Sequence, residues 1–549
     1  MSGMTIPHQS GTFLPSPFSL LPSSVSRLPS PGSKPMPQSL ADALKSGYGF
    51  ADASIVFGAA LNGTSLITEP EVRVPLAMTN RHGLIAGATG TGKTKTLQLL
   101  TEQFSAAGVP VFVADIKGDL SGLAMPGESN DRVAQRAKET GWAWKAGSAP
   151  VEFVSLTGKL GVQLRATVSD FGPLLLAKVL GLNDTQASVL TLVVKYCDDN
   201  QLPLLDFEDL RAVLRFLTSD AGKGALAGYG GMSEATVGVL LRKMIELEAQ
   251  GAQAFFGEPQ FDVHDLLAKT SDGRGVVTCL ELADAQDKPR LFSTFMMWLL
   301  ADLYHNLPEA GDLDRPKLVF FFDEAHLLFQ DAPKPFLEQV EQVVRLVRSK
   351  GVGVYFVTQT PKDVPPDVLA QLSNRVQHAL RAHTPDDERL LAATARTYPK
   401  APYLDLEEVL TSLGIGEAVV TVLDPRGVPT PVMPTRLIPP ASRMAPLTPD
   451  ELQTDIRQSD LVKAYGTPID RESAREILAA RLAKTAPEAP APEAKPTGKV
   501  GKSVGAVVGG AVLGALGTTI ARTVGRELVR GVFGMLGARA PRTTRRTRW

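Results

Sequence analysis

The segment Gly87-Ala-Thr-Gly-Thr-Gly-Lys-Thr94 constrains this chain more than any other stretch. It matches G-x-x-x-x-G-K-[ST] directly after an apolar run and ahead of a helical pattern. Residues 82–87 read as a buried strand, 93–108 as a helix and 109–114 as a second apolar strand, the β-α-β rhythm of a parallel sheet. The fold class is therefore α/β. In that placement the backbone N–H groups of Gly87, Ala88, Thr89, Gly90, Thr91 and Gly92 wrap phosphates at a helix N-terminus. Lys93 brings positive charge to the β- and γ-phosphates, and the Thr94 hydroxyl ligates Mg²⁺. ATP with Mg²⁺ is the ligand this loop predicts.

A second block, Leu318-Val-Phe-Phe-Phe-Asp-Glu-Ala-His326, is an apolar strand that ends in two acids. A carboxylate at that carboxyl end holds the Mg²⁺ hydration shell, which assigns Asp323, and the adjacent Glu324 polarises the attacking water. The pair predicts hydrolysis rather than nucleotide binding alone. Residues 352–358 form a further strand with Gln359 at its tip. Beside the acid-bearing strand its amide would touch the γ-phosphate or its water, but a Gln at a strand end serves equally as a turn residue.

Asp323-Glu-Ala-His326 also spells the box of a large helicase superfamily. As a family expectation, those enzymes place it about a hundred residues after the loop lysine. Here Lys93 and Asp323 lie 230 positions apart, with helical periodicity between them.

Around these blocks the chain divides by composition. A Pro/Ser-rich tail, 1–45, reads as disordered, and 46–80 as a short β-rich lead-in. An ATPase domain, 81–440, contains a helical insertion over about 168–256, where apolar residues recur at helical spacing. Further strands are expected at 275–280 and 418–423, and helices at 291–304 and 335–349. A helical extension, 441–485, leads to a Pro/Ala/Glu linker, 486–498. Residues 499–549 are Gly-rich and then basic, with Ile520, Val524, Leu528, Val532 and Leu536 on one helical face and Arg522, Arg526 and Arg530 on another. Small-residue spacing over 504–521 is compatible with helix packing in a membrane, but Gly, Ala and Thr contribute little apolar transfer energy, so a membrane is not the expected partner.

The formal net charge of −1 leaves any contact with a polyanion to local patches. Cys197 and Cys279 lie far apart without a CxxC context, which argues against a disulfide framework or a zinc site and fits a cytoplasmic setting.

With these blocks in place the chain resembles the HerA/FtsK superfamily, and more narrowly its bacterial HerA-like, YjgR-type branch. The resemblance covers about residues 80–440 and reappears near the C-terminus. It rests on Asn80-Arg-His-Gly-Leu-Ile-Ala leading into the loop, Val113-Ala-Asp-Ile-Lys-Gly-Asp119, Asp323-Glu-Ala-His326, and Val347-Arg-Ser-Lys-Gly-Val-Gly-Val-Tyr-Phe-Val-Thr-Gln359. It implies a RecA-like P-loop NTPase with a central, mostly parallel sheet and a helical insertion between the second strand and the Asp323 strand. It further implies a hexameric ring, an ATP site at each subunit boundary and motion along double-stranded DNA. Lys93 and Thr94 match the Walker A pair, Asp323 and Glu324 the Walker B pair, and Gln359 the polar sensor. The arginine acting across the boundary falls on Arg348, with Arg345, Arg375 and Arg381 as competitors. Asp115, Lys117 and Asp119 follow the second strand and receive no role from the sequence. A nuclease or other protein partner is compatible with the resemblance, and an ATPase acting on a protein or membrane partner is the alternative to a DNA motor.

Overall fold

The computed structural model describes residues 39–485 apart from 227, 312 and 330–333. The expectations for residues 1–38 and 486–549 lie outside the described residues. Residues 40–45, assigned by composition to the tail, form the first turns of a helix, Leu40–Tyr48, capped by Ser39 and buried along Leu40, Ala43 and Leu44.

Twelve strands form one sheet. In chain order they are β1 (Ser54–Asn62), β2 (Ser65–Pro75), β3 (Gly83–Ala86), β4 (Val111–Asp115), β5 (Val151–Ser155) and β6 (Val162–Gln163), then β7 (Val277–Glu281), β8 (Leu318–Phe322), β9 (Val352–Thr358), β10 (Asn374–His378), β11 (Glu417–Thr421) and β12 (Met433–Leu437). Across the sheet the order is β2-β1-β12-β11-β10-β3-β9-β8-β4-β7-β5-β6. From β10 to β6 all neighbours are parallel, and β2, β1, β12 and β11 close the other side antiparallel.

The central strands are apolar throughout because both sheet faces are covered. On one face Phe112, Phe320, Phe322, Val354 and Phe356 pack with the helices Pro289–Asn306 and Lys334–Val347 and with the insertion helices Val168–Leu180, Asp184–Asp199, Phe207–Thr218 and Glu234–Glu248. On the other, Val111, Val113, Val319, Phe321 and Val357 pack with Leu97, Leu100 and Phe104 of the helix Lys93–Ala106.

The sequence reading has no strand at β5, β6, β10 or β12. Asn374-Arg-Val-Gln-His378 carries no apolar run, yet β10 lies between β3 and β11 with Gln377 and His378 fully buried. Its strand character comes from its neighbours' backbone groups rather than from its own pattern.

Candidate functional site

β3 ends at Ala86 and the chain turns through the glycine loop into the helix Lys93–Ala106. Gly87 has φ 152° and Gly92 φ 113°, and a Cβ on Gly87 would stand 2.4 Å from His378 Cβ. Only glycine permits both that backbone and that approach. The Gly87 N–H donates to the carbonyls of Thr358 (3.3 Å) and Gln359 (3.1 Å), tying the loop to the tip of β9. Lys93 is 8% exposed and its Nζ donates to the carbonyls of Gly87 (2.7 Å) and Ala88 (3.2 Å), which holds the ammonium across the loop. Burial lowers the pKa of this ammonium, partly opposed by the charge of Glu324.

β8 delivers Asp323 and Glu324 at the same carboxyl edge of the sheet, one strand removed from β3 across β9. They are 4% and 5% exposed. Glu324 has φ 46°, a left-handed conformation uncommon for a non-glycine residue and typical of functional turns. Its Oε1 accepts from Lys117 Nζ. Its Oε2 lies 3.2 Å from His326 Nδ1 without hydrogen-bond alignment, so neither atom has a hydrogen-bond partner among the described residues.

Asp115 ends β4 and organises the following loop, accepting N–H bonds from Lys117 (3.0 Å), Gly118 (2.8 Å) and Leu120 (2.8 Å). Glu281 ends β7 directly opposite Asp115. Burial pushes both carboxyls up; the charge of Asp119 adds to the rise at Asp115, which the N–H bond from Leu120 opposes, and the charge of Asp115 adds to the rise at Glu281. Burial, then Asp115, then Glu324, raises Asp323 to about 7. Oxygens of Asp115, Asp119 and Asp323 lie within 4.8 Å of one another, and Asp323 Oδ2 has no hydrogen-bond partner. A buried, partnerless carboxylate oxygen facing other acids suits a hard divalent cation, so these residues fit Mg²⁺.

Gln359 is exposed at the end of β9, where its backbone carbonyl, not its amide, touches the loop. Arg345 and Arg348 are exposed at the amino end of β9, across the seven-residue strand from the glycine loop, a span of roughly 20 Å. Arg375 is committed elsewhere, donating to the carbonyls of Leu369, Leu372 and Thr397. Arg381 is exposed and donates to Thr411 O at 3.5 Å.

Two further groups belong to the site. Glu281 sits one residue beyond the expected strand end, at the same kind of apolar-strand terminus as Asp323. His378 lies beneath the loop with its Nε2 2.9 Å from Thr96 Oγ1, and burial, then the Lys93 charge, drives its pKa down to about 4, so it is neutral. No local signal marks it, because its strand has no apolar pattern.

A glycine loop at the end of one parallel strand, with a buried acid pair two strands away at the same edge, defines the P-loop ATPase class. Within that class the chain belongs to the helicase HerA-like C-terminal family, whose model matches residues 64–541. Similar curated proteins include the DNA double-strand break repair helicases HerA of Sulfurisphaera tokodaii, 22% identical over 65% of this chain and 66% of that protein, and of Sulfolobus acidocaldarius, 20% identical over 64% of each. The chain thus spans just under two thirds of the length of these relatives. Among solved structures, the conjugative coupling protein TrwBdeltaN70 aligns with a TM-score of 0.48 at 16% identity, over 76% of this chain and 100% of that one. TrwB in complex with ADP and Mg²⁺ gives 0.48 at 15%, over 73% and 98%. VirB4 of Thermoanaerobacter pseudethanolicus gives 0.45 at 14%, over 74% and 99%.

Proposed function

We propose that the chain is an ATP-hydrolysing ring motor, a cytoplasmic hexamer that translocates along or unwinds double-stranded DNA. The observation that carries this reading is the convergence of Lys93 with Asp323 and Glu324 at one sheet edge, on either side of β9. In it the loop from Gly87 to Gly92 cradles the phosphates, Lys93 neutralises them, and Glu324 takes the proton of the attacking water. Thr94 and Asp323 would hold Mg²⁺, which when bound would supply positive charge to stabilise the transferring phosphoryl group. Gln359 reads the γ-phosphate, once its side chain turns toward the loop its carbonyl already touches.

Arg348 completes the site of the neighbouring subunit. What supports this is its exposure at the far edge of the sheet, out of reach of its own loop. The DNA part is supported by family membership and by the DNA double-strand break repair helicases among the relatives. A nuclease or other protein partner is compatible with it. No helix among the described residues is long and apolar enough to cross a membrane.

The test is ATPase rate with and without long duplex DNA. Stimulation that weakens as salt rises from about 50 to 200 mM is expected, because phosphate contacts release counterions. A rate indifferent to duplex and single-stranded DNA at every salt would replace the DNA motor with an ATPase acting on a protein or membrane partner. Absence of hydrolysis would remove the ATPase reading itself.

A further inference from the structure

The tip of β9 is tied to both halves of the site. Val357 O accepts from Ala325 N–H (2.8 Å), directly behind Glu324, and the carbonyls of Thr358 and Gln359 accept from Gly87 N–H on the glycine loop. Gln359 itself stands between two residues that a single carboxylate holds. Asp363 Oδ2 accepts from the Thr358 hydroxyl (2.6 Å) and from Thr360 N–H (2.9 Å), and Asp363 Oδ1 accepts from the Thr360 hydroxyl (2.9 Å).

The local sequence builds this clamp. Thr360-Pro-Lys-Asp363 has the [ST]-x-x-[DE] spacing that brings the hydroxyl and the carboxylate together across one turn, and Pro361 presets that turn by fixing φ. Thr358 is fully buried, so its hydroxyl needs an acceptor inside the protein, and Asp363 supplies it.

The peptide unit that joins Gln359 to Thr360 is consequently held at both ends, its C=O by Gly87 N–H and its N–H by Asp363. A charged acceptor makes the second bond the stronger kind, and by polarising the peptide it strengthens the first. Without the carboxylate this peptide is free to rotate, and rotation carries the Gln359 side chain away from the glycine loop. Asp363 lies within electrostatic reach of the phosphate site as well. Burial lowers the pKa of the Lys93 ammonium, and the charges of Glu324, Asp323 and Asp363 oppose it in falling order.

We infer that Asp363 is a positioning residue for ATP hydrolysis, which fixes the Gln359–Thr360 peptide in the orientation from which the Gln359 side chain reaches the γ-phosphate or its water. The inference rests on the ATPase reading with Gln359 as its sensor, and it names the group that aims that sensor. Asp363 acts through Gln359 and touches neither nucleotide nor metal.

Steady-state ATP hydrolysis by the full chain tests this in Gln359→Ala, Asp363→Ala, Asp363→Asn and the two double variants, with kcat and KM read separately and melting temperature measured beside them. Gln359→Ala should lower kcat by about thirtyfold or more. Asp363→Ala should lower kcat by about tenfold to thirtyfold with KM within about threefold, because it frees a group used in the hydrolytic step and removes no phosphate contact. Asp363→Asn keeps the side-chain shape but leaves one acceptor oxygen for three donors, and should lose about threefold to tenfold in kcat while folding as the wild type does. In the Gln359→Ala background neither substitution should lower kcat by more than about twofold further, since residues that act as one unit are not additive. A merely structural Asp363 would multiply its loss onto that of Gln359→Ala, and that result, or wild-type kcat in both Asp363 variants, overturns the inference while the ATPase reading stands. Wild-type kcat in Gln359→Ala would overturn the sensor reading and the inference with it, and no hydrolysis by the wild type would overturn the ATPase reading itself.

Discussion

Lys117, on the loop after β4, pairs its ammonium with the Glu324 carboxylate at the end of β8. Its loop is set by the three N–H bonds that Asp115 accepts, so two residues that the sequence left without a role act together. The charges of Glu324, Asp323 and Asp119 all act on this ammonium and, against its partial burial, raise its pKa. Lys117→Met should lower ATP hydrolysis by about tenfold to a hundredfold, with nucleotide affinity little changed. Faster hydrolysis at neutral pH would mean instead that the pair holds Glu324 out of action.

Lys93→Ala and Glu324→Gln should both reduce hydrolysis by at least about a hundredfold but separate in binding. Lys93 meets the phosphates, whereas Glu324 meets only water. ATP affinity should fall by about tenfold or more in the alanine variant and stay within about threefold in the glutamine variant, which should retain unhydrolysed ATP. Equal loss of affinity in the two would show Glu324 to be misassigned.

Arg348→Ala subunits mixed into wild type should depress activity more than their fraction, because each defective arginine silences a neighbour's site. Arg345→Ala, one helical turn earlier, is the comparison. Linear dilution by both would point to independent subunits or to Arg381.

Asp323 makes stability depend on pH in the unusual direction. Its carboxyl titrates at about 7 in the fold, above the roughly 3.9 of an unfolded Asp. The folded state therefore binds the proton more tightly, and stability is lost as pH rises from about 4 through 7, up to about 4 kcal/mol by linkage. Without nucleotide or divalent cation, thermal unfolding should show Asp323→Asn gaining on wild type between pH 5 and pH 8. A parallel pH dependence in the two proteins would contradict the buried, partnerless carboxylate.

The sequence alone determined the elements whose signal is local. The glycine loop is legible because phosphate wrapping needs glycines at fixed offsets, and β8 and β9 are legible because a strand covered on both faces must be apolar throughout. Asp323 and Glu324 follow from the same run, since acids directly after a buried strand stand at its carboxyl end. Tertiary structure decided what depends on neighbours distant in the chain. β10 is a strand because β3 and β11 pair with its backbone, although its side chains carry no pattern. His378 underlies the loop only through that pairing. Lys117 meets Glu324 because β4 and β8 are adjacent, and residues 441–444 lie along the helix Lys93–Ala106 because Lys95, Gln98 and Glu102 bind them from more than three hundred residues away. Periodicity encodes which face of an element is buried, whereas which elements become neighbours is set by the sheet order, and no local spacing carries it.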